Sequence, residues 1–271
     1  MQLATDVFRL LTERETTFNT HHYELLIATY LKANALSDAL SVILIMTDAN
    51  LKVDAGTCHP LYWYLRNAPP PRTTSTHENG EDQNEPSMPL HAFTLLQDFS
   101  SRGRKVPTAA INCCIQASIA LNALPCALDM YKALHTLTSG PNTETFNLLF
   151  RGCAQAGRKE IAMFLAHEMI SLNLQPDRIT YDRLILVCES SGDVDDAVNY
   201  FEEMRAMGLR PRRGTYERLI DRLVESGDER CVGVLRDYKE SGEAVSQGAE
   251  RRVRQRFEVV EGETSEGVVG A

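Results

Sequence analysis

A chain of 271 residues, 43% of them hydrophobic, has material for a continuous core in one or two ordinary domains or in six to seven short units. The net charge of −9 argues weakly against a general nucleic-acid binder, and no apolar run reaches the 18 residues that a membrane span needs. Seven cysteines, an odd number with no CxxC pair, read as buried thiols in a reducing compartment rather than a disulfide framework.

Residues of several types recur every 35 positions: Pro141, Pro176 and Pro211; Gly157, Gly192 and Gly227; Ala127, Ala162 and Ala197; Met169 and Met204; Cys153 and Cys188. A period of this length is that of a helix pair, so the sequence predicts an all-α fold, a solenoid of stacked helical hairpins. Function then lies along a groove rather than in one catalytic pocket.

In chain order, residues 1–20 place Ala4, Phe8 and Leu11 in second-helix slots of the frame. They read as the second helix of an incomplete repeat, which is expected if the chain is the downstream part of a longer protein. Residues 21–55 form the next unit, with Tyr23, Leu26, Ile27, Asn34, Ala39 and Met46 in register. Residues 56–108 exceed the period by 18, and the excess falls in a Pro-rich and then polar stretch, about 67–89, expected to be a disordered insert between two helices. Ala92, Leu96, Phe99 and Gly103 return in register.

The units 109–143, 144–178 and 179–213 keep the frame best. Each of the last two opens with an aromatic residue in the third place (Phe146, Tyr181) and an apolar pair three residues on, which share one helical face. Gly157 or Gly192 closes the first helix through the left-handed conformation, and Asn122 can do the same in the unit before. A small Ala early in the second helix lets two backbones approach. Pro176 and Pro211 are expected to end that helix. Residues 214–248 begin well, with Tyr216, Leu219, Ile220 and Gly227, but Val232, Tyr238 and Lys239 then break the pattern, as in a degenerate or capping repeat. Residues 249–271, with Arg251, Arg252, Arg254 and Arg256 before an acidic, Gly-rich end, read as a disordered tail.

The run Thr180 to Ile185, then Ser191 to Ala197, Phe201 to Met204 and Gly208 to Pro211, resembles the pentatricopeptide repeat. The resemblance is strong over residues 109–227, moderate before them, and fades beyond about Asp228. It implies a right-handed α-α superhelix built of 35-residue repeats, and a mitochondrial or plastid protein, here a mitochondrial one, that holds single-stranded RNA. The acts implied are transcript processing, stability or translation, with no cofactor and no catalysis. In such families two places in each repeat select a base, the fourth and the penultimate as framed here. Those pairs are Glu24 with Asp54, His59 with Pro107, Asn112 with Asn142, Asn147 with Asp177, Asp182 with Arg212, and Glu217 with Gln247. Only Asn112/Asn142 and Asn147/Asp177 match the family's pattern, and both resemble pyrimidine readers; an Asn amide both donates to and accepts from a base edge.

Slots four, eight and twelve of the first helices supply Lys32 and Arg151 as phosphate contacts, but also Glu217, Asp221 and Glu225 together in one unit. Arg218 and Arg222 on the adjoining row are expected to pair with those carboxylates within the helix. No zinc motif, Gly-rich phosphate loop or deaminase signature is present in the sequence, so the expectation is a binder and not an enzyme. The four departing pairs and the acidic charge point to an alternative: a protein-interaction scaffold, such as a component of the mitochondrial ribosome or a translation complex, that has lost base reading.

Overall fold

A computed structural model describes residues 19–69, 87–242 and 244–263. The expected helix with Ala4, Phe8 and Leu11, most of the 67–89 insert and the last eight residues lie outside the described residues. All elements among the described residues are α-helices: α1 (Thr20–Lys32), α2 (Leu36–Asp48), α3 (His59–Asn67), α4 (Met88–Ser101), α5 (Thr108–Ala120), α6 (Leu124–Leu137), α7 (Thr143–Ala156), α8 (Lys159–Ser171), α9 (Arg178–Ser191), α10 (Val194–Ala206), α11 (Arg213–Ser226), α12 (Arg230–Glu240) and α13 (Gln247–Glu263).

The chain divides into two compact units, Met1–Gly152 and Cys153–Ala271. In the first, α1 packs on α2, α3 on α4 and α5 on α6, while α3 lies against both α1 and α5, and α4 against both α2 and α6. First helices therefore form one layer and second helices another. The second unit repeats the scheme, with α9 on α10, α11 on α12, and α9 beside α11.

The periodic residues are the ones that disappear from solvent. Ala39, Ala92, Ala127, Ala162 and Ala197 are fully buried, and so are Met46, Met169 and Met204. A methyl group at the alanine slot permits close helix approach, and the flexible thioether fills the space that remains. The turn between the helices of a hairpin is left-handed at each described position: Asn34 (φ 56°), Asn122 (φ 59°), Gly157 (φ 62°), Gly192 (φ 77°) and Gly227 (φ 73°).

Two expectations need correction. The second helices end before their prolines: α8 stops at Ser171 and α10 at Ala206, with Asn173 (φ 56°) and Gly208 (φ 71°) in the left-handed conformation. Pro176 and Pro211 lie beyond these ends. The helix is closed by a residue that tolerates positive φ, so no ring clash is needed.

The second correction concerns the C-terminal segment, expected to be disordered from 249 onward. Its described residues, 249–263, are helical as part of α13, packed on α11 and α12. Ala249 and Val253 are buried in the same cluster as Leu219, Leu223 and Tyr238, with Phe257 partly buried against it. These three residues are four apart, which is one helical face. Tyr238, which breaks the residue pattern, also belongs to this core; its ring stacks on Tyr216 with centroids 4.7 Å apart and planes 8° from parallel. The end of the second unit is thus a closed apolar cluster.

Candidate nucleic-acid interface

Asn112 lies on α5 and is only 2% exposed. Its Nδ2 donates to Oδ1 of Asn142 at 3.2 Å, so this expected pair is brought together. Its Oδ1 accepts from Thr145 Oγ1 at 2.8 Å. Asn142 in turn accepts from the backbone N–H of Thr145 at 3.0 Å, an N-cap for α7, while Thr145 Oγ1 accepts from the Asn142 N–H at 3.2 Å. A hydroxyl has one proton, and the shortest contact assigns it to Asn112. Glu144 sits close by, its carboxyl pushed up by burial and pulled down in part by a hydrogen bond from Asn112. Both acceptor and donor ends of the Asn112 amide are therefore engaged by protein.

Asn147 and Arg151 lie on α7, the former 8% exposed and the latter partly buried. Asp177 is exposed and caps α9, accepting from the Thr180 N–H at 2.8 Å and from its hydroxyl at 2.9 Å. Its own N–H donates back to that hydroxyl at 3.0 Å, closing a capping box.

A pair that departs from the family pattern has the same geometry. Asp182 on α9 accepts from Thr215 Oγ1 at 2.7 Å and forms an ion pair with Arg212 at 3.2 Å. A fourth-place residue, its penultimate partner and a threonine from the next first helix thus recur as a trio, with an amide pair in one unit and an ion pair in the other. Thr145, Thr180 and Thr215 are all buried and stand 35 residues apart. That spacing is the signal by which the sequence could have revealed them.

The acidic row on α11 is not bare. Glu217 pairs with Arg213 at 2.9 Å, Glu225 with Arg222 at 3.2 Å, and Asp221 with Arg252 of α13 at 2.6 Å. Arg218, expected to pair within its own helix, instead reaches Glu189 on α9 at 3.1 Å. Glu189 is buried, and burial raises its carboxyl pKa while the Arg218 charge holds it down. A buried carboxylate draws the guanidinium more strongly than a solvated one. Among the described residues no three His, Cys, Asp or Glu side chains are grouped to hold a metal, and no helix is long and apolar enough to cross a membrane.

Two family models match the chain. One, described as a pentatricopeptide repeat-containing protein, covers residues 1–77, and the other, the pentacotripeptide-repeat region of PRORP, covers residues 107–263. The chain belongs to the pentatricopeptide repeat family. Solved structures share its fold. The pentatricopeptide repeat protein PPR10 from maize superposes with a TM-score of 0.51 at 19% identity, over 100% of this chain and 38% of that one. PPR10 in complex with an 18-nt psaJ RNA element gives 0.52 at 14% identity, over 94% and 38% of the two chains. The PPR domain of Arabidopsis thaliana protein-only RNase P 1, in complex with tRNA, gives 0.54 at 17% identity, over 63% of this chain and 90% of that domain. This chain therefore spans well under half of PPR10. No curated protein matches it.

Proposed function

We propose that this pentatricopeptide repeat protein binds single-stranded RNA along its layers of first helices and acts by holding the strand, without chemistry of its own. The observation that carries the reading is the stacking of first helices into a layer, within a family whose solved members include complexes with RNA. The acts that follow are processing, stability or translation of an organelle transcript, and the compartment is the mitochondrion. The test is fluorescence anisotropy with a pyrimidine-rich single strand, the same sequence as a duplex, and added salt. Single-strand binding that weakens with salt supports the reading. Loss of binding in the Asn112→Ala, Asn147→Ala double variant, with helical content and melting temperature retained, assigns it to base contact; absence of binding at low salt overturns it.

A second reading, a protein scaffold such as a ribosome or translation-complex component, is favoured by the engagement of Asn112 and Asp182 in contacts within the protein. Co-purification with ribosomal subunits after ribonuclease treatment, together with no affinity for free RNA, would select it. Fractionation of cells that express the full gene product tests the mitochondrial address.

A further inference from the structure

The chain's single tryptophan, Trp63, is 49% exposed on α3. Leu61 and Leu65, two residues to either side, are buried. At 100° per residue Trp63 points roughly opposite to them, away from the second helices and out of the first-helix layer. An indole left half in water on the outer face of a layer is an exception to the burial of large aromatics.

Its geometry is held. Nε1 donates to His59 Nε2 at 2.9 Å, one turn back. The His59 ring meets the indole edge-on, with centroids 6.1 Å apart and planes 79° from parallel, and the Tyr62 ring does so at 5.9 Å and 61°. The Arg66 guanidinium lies 5.7 Å from the indole centroid, with one nitrogen 3.4 Å from the Tyr62 hydroxyl. The side chains of residues 59, 62, 63 and 66 thus form one cluster on the outer surface of a single helix.

We propose that this cluster is a stacking platform for one unpaired nucleobase of single-stranded RNA, with Arg66 facing the adjoining phosphate. The inference rests on the RNA-binding reading above and gives it a site that the fourth-place pairs do not supply. His59 and Pro107, the pair of this unit, offer no base-reading amide, whereas every base has a π-face to stack on an indole. The contact is therefore tolerant of sequence. His59 and Tyr62 hold the plane of the indole, and the Arg66 guanidinium over one face of the ring supplies a charge beside it for a phosphate of the strand.

Trp63 is also its own reporter, since no second tryptophan contributes emission. A labelled uridine oligonucleotide, and the same backbone without bases, are titrated into the full chain while anisotropy and tryptophan emission are read together. The base-bearing strand should quench Trp63 and the abasic one should not. Trp63→Ala should weaken binding about tenfold, with Trp63→Phe restoring part of it and Arg66→Gln steepening the loss. Helical content and melting temperature of each variant are checked first, and Trp63→Phe carries the test if the alanine variant is unstable. Binding by anisotropy with emission unmoved and affinity unchanged in Trp63→Ala overturns the platform while the RNA reading stands. No binding of either strand overturns both. A Trp63→Ala variant that keeps RNA affinity but loses a protein partner assigns the ring to protein docking and also overturns it.

Discussion

Thr145 is the smallest group on which much of the interface geometry depends. Its hydroxyl donates to Asn112 and accepts from the Asn142 N–H, and its N–H is capped by Asn142. Thr145→Val keeps the shape and removes both hydroxyl contacts. Stranding the buried Asn112 oxygen should cost about 2 kcal/mol of unfolding free energy in urea titration. Thr145→Ser, which restores the hydroxyl, should recover most of it. The thiols belong to the same scale. Burial pushes Cys58 and Cys188 up to about 12, and Cys153 and Cys231 up to about 11, from an ordinary value of 9.0. A folded-state pKa above the unfolded one stabilises fully below the unfolded value and is lost as pH rises through the folded one. Stability in chemical denaturation should therefore decline between pH 9 and 12, and native thiols should resist a disulfide reagent at pH 8 while unfolded chains react.

At the level of elements, the hairpin turn tests the backbone alone. Gly192 has φ 77°, and a Cβ placed there would meet nothing within 4 Å. Gly192→Ala should destabilise by about 1 kcal/mol through the left-handed conformation and not through a clash, and Gly192→Asn should cost less, as Asn122 does the same task in another unit. This turn was legible from the sequence, because the conformation demands a residue type and the residue recurs. Helix α13 was not. Its apolar face is Ala249, Val253 and Phe257, set among four arginines and followed by a Gly-rich acidic end, so composition outweighed the spacing of four. The threonine trio escaped for a different reason: its meaning depends on a residue more than 30 positions away, Asn112 or Asp182, which no local pattern announces. Val253→Ala should lower unfolding free energy by about 2 kcal/mol, whereas Arg251→Ala, exposed on the same helix, should change it by less than about 0.5 kcal/mol.

Across the molecule, the question is how a chain of net charge −9 could attract a polyanion. Many of its cations already have carboxylate partners: Lys159 is held by Asp193 and Asp196, Arg230 by Asp195 and Asp228, Arg212 by Asp182, Arg218 by Glu189 and Arg252 by Asp221. These pairs tie neighbouring segments together within the second unit, but they also withdraw cationic groups from phosphate contact. Each phosphate neutralised on a single strand contributes about −0.7 to the slope of log affinity against log salt. Where these cations stay with their carboxylates, the slope should be shallow, about −1 to −2, and base stacking should carry a larger share of the affinity. Titrations at a series of salt concentrations decide the matter. A slope steeper than about −4 would mean that the ion pairs open on RNA, and the carboxylates of Asp182 and Glu189 would then be the groups to neutralise next, by Asp182→Asn and Glu189→Gln, in search of tighter binding.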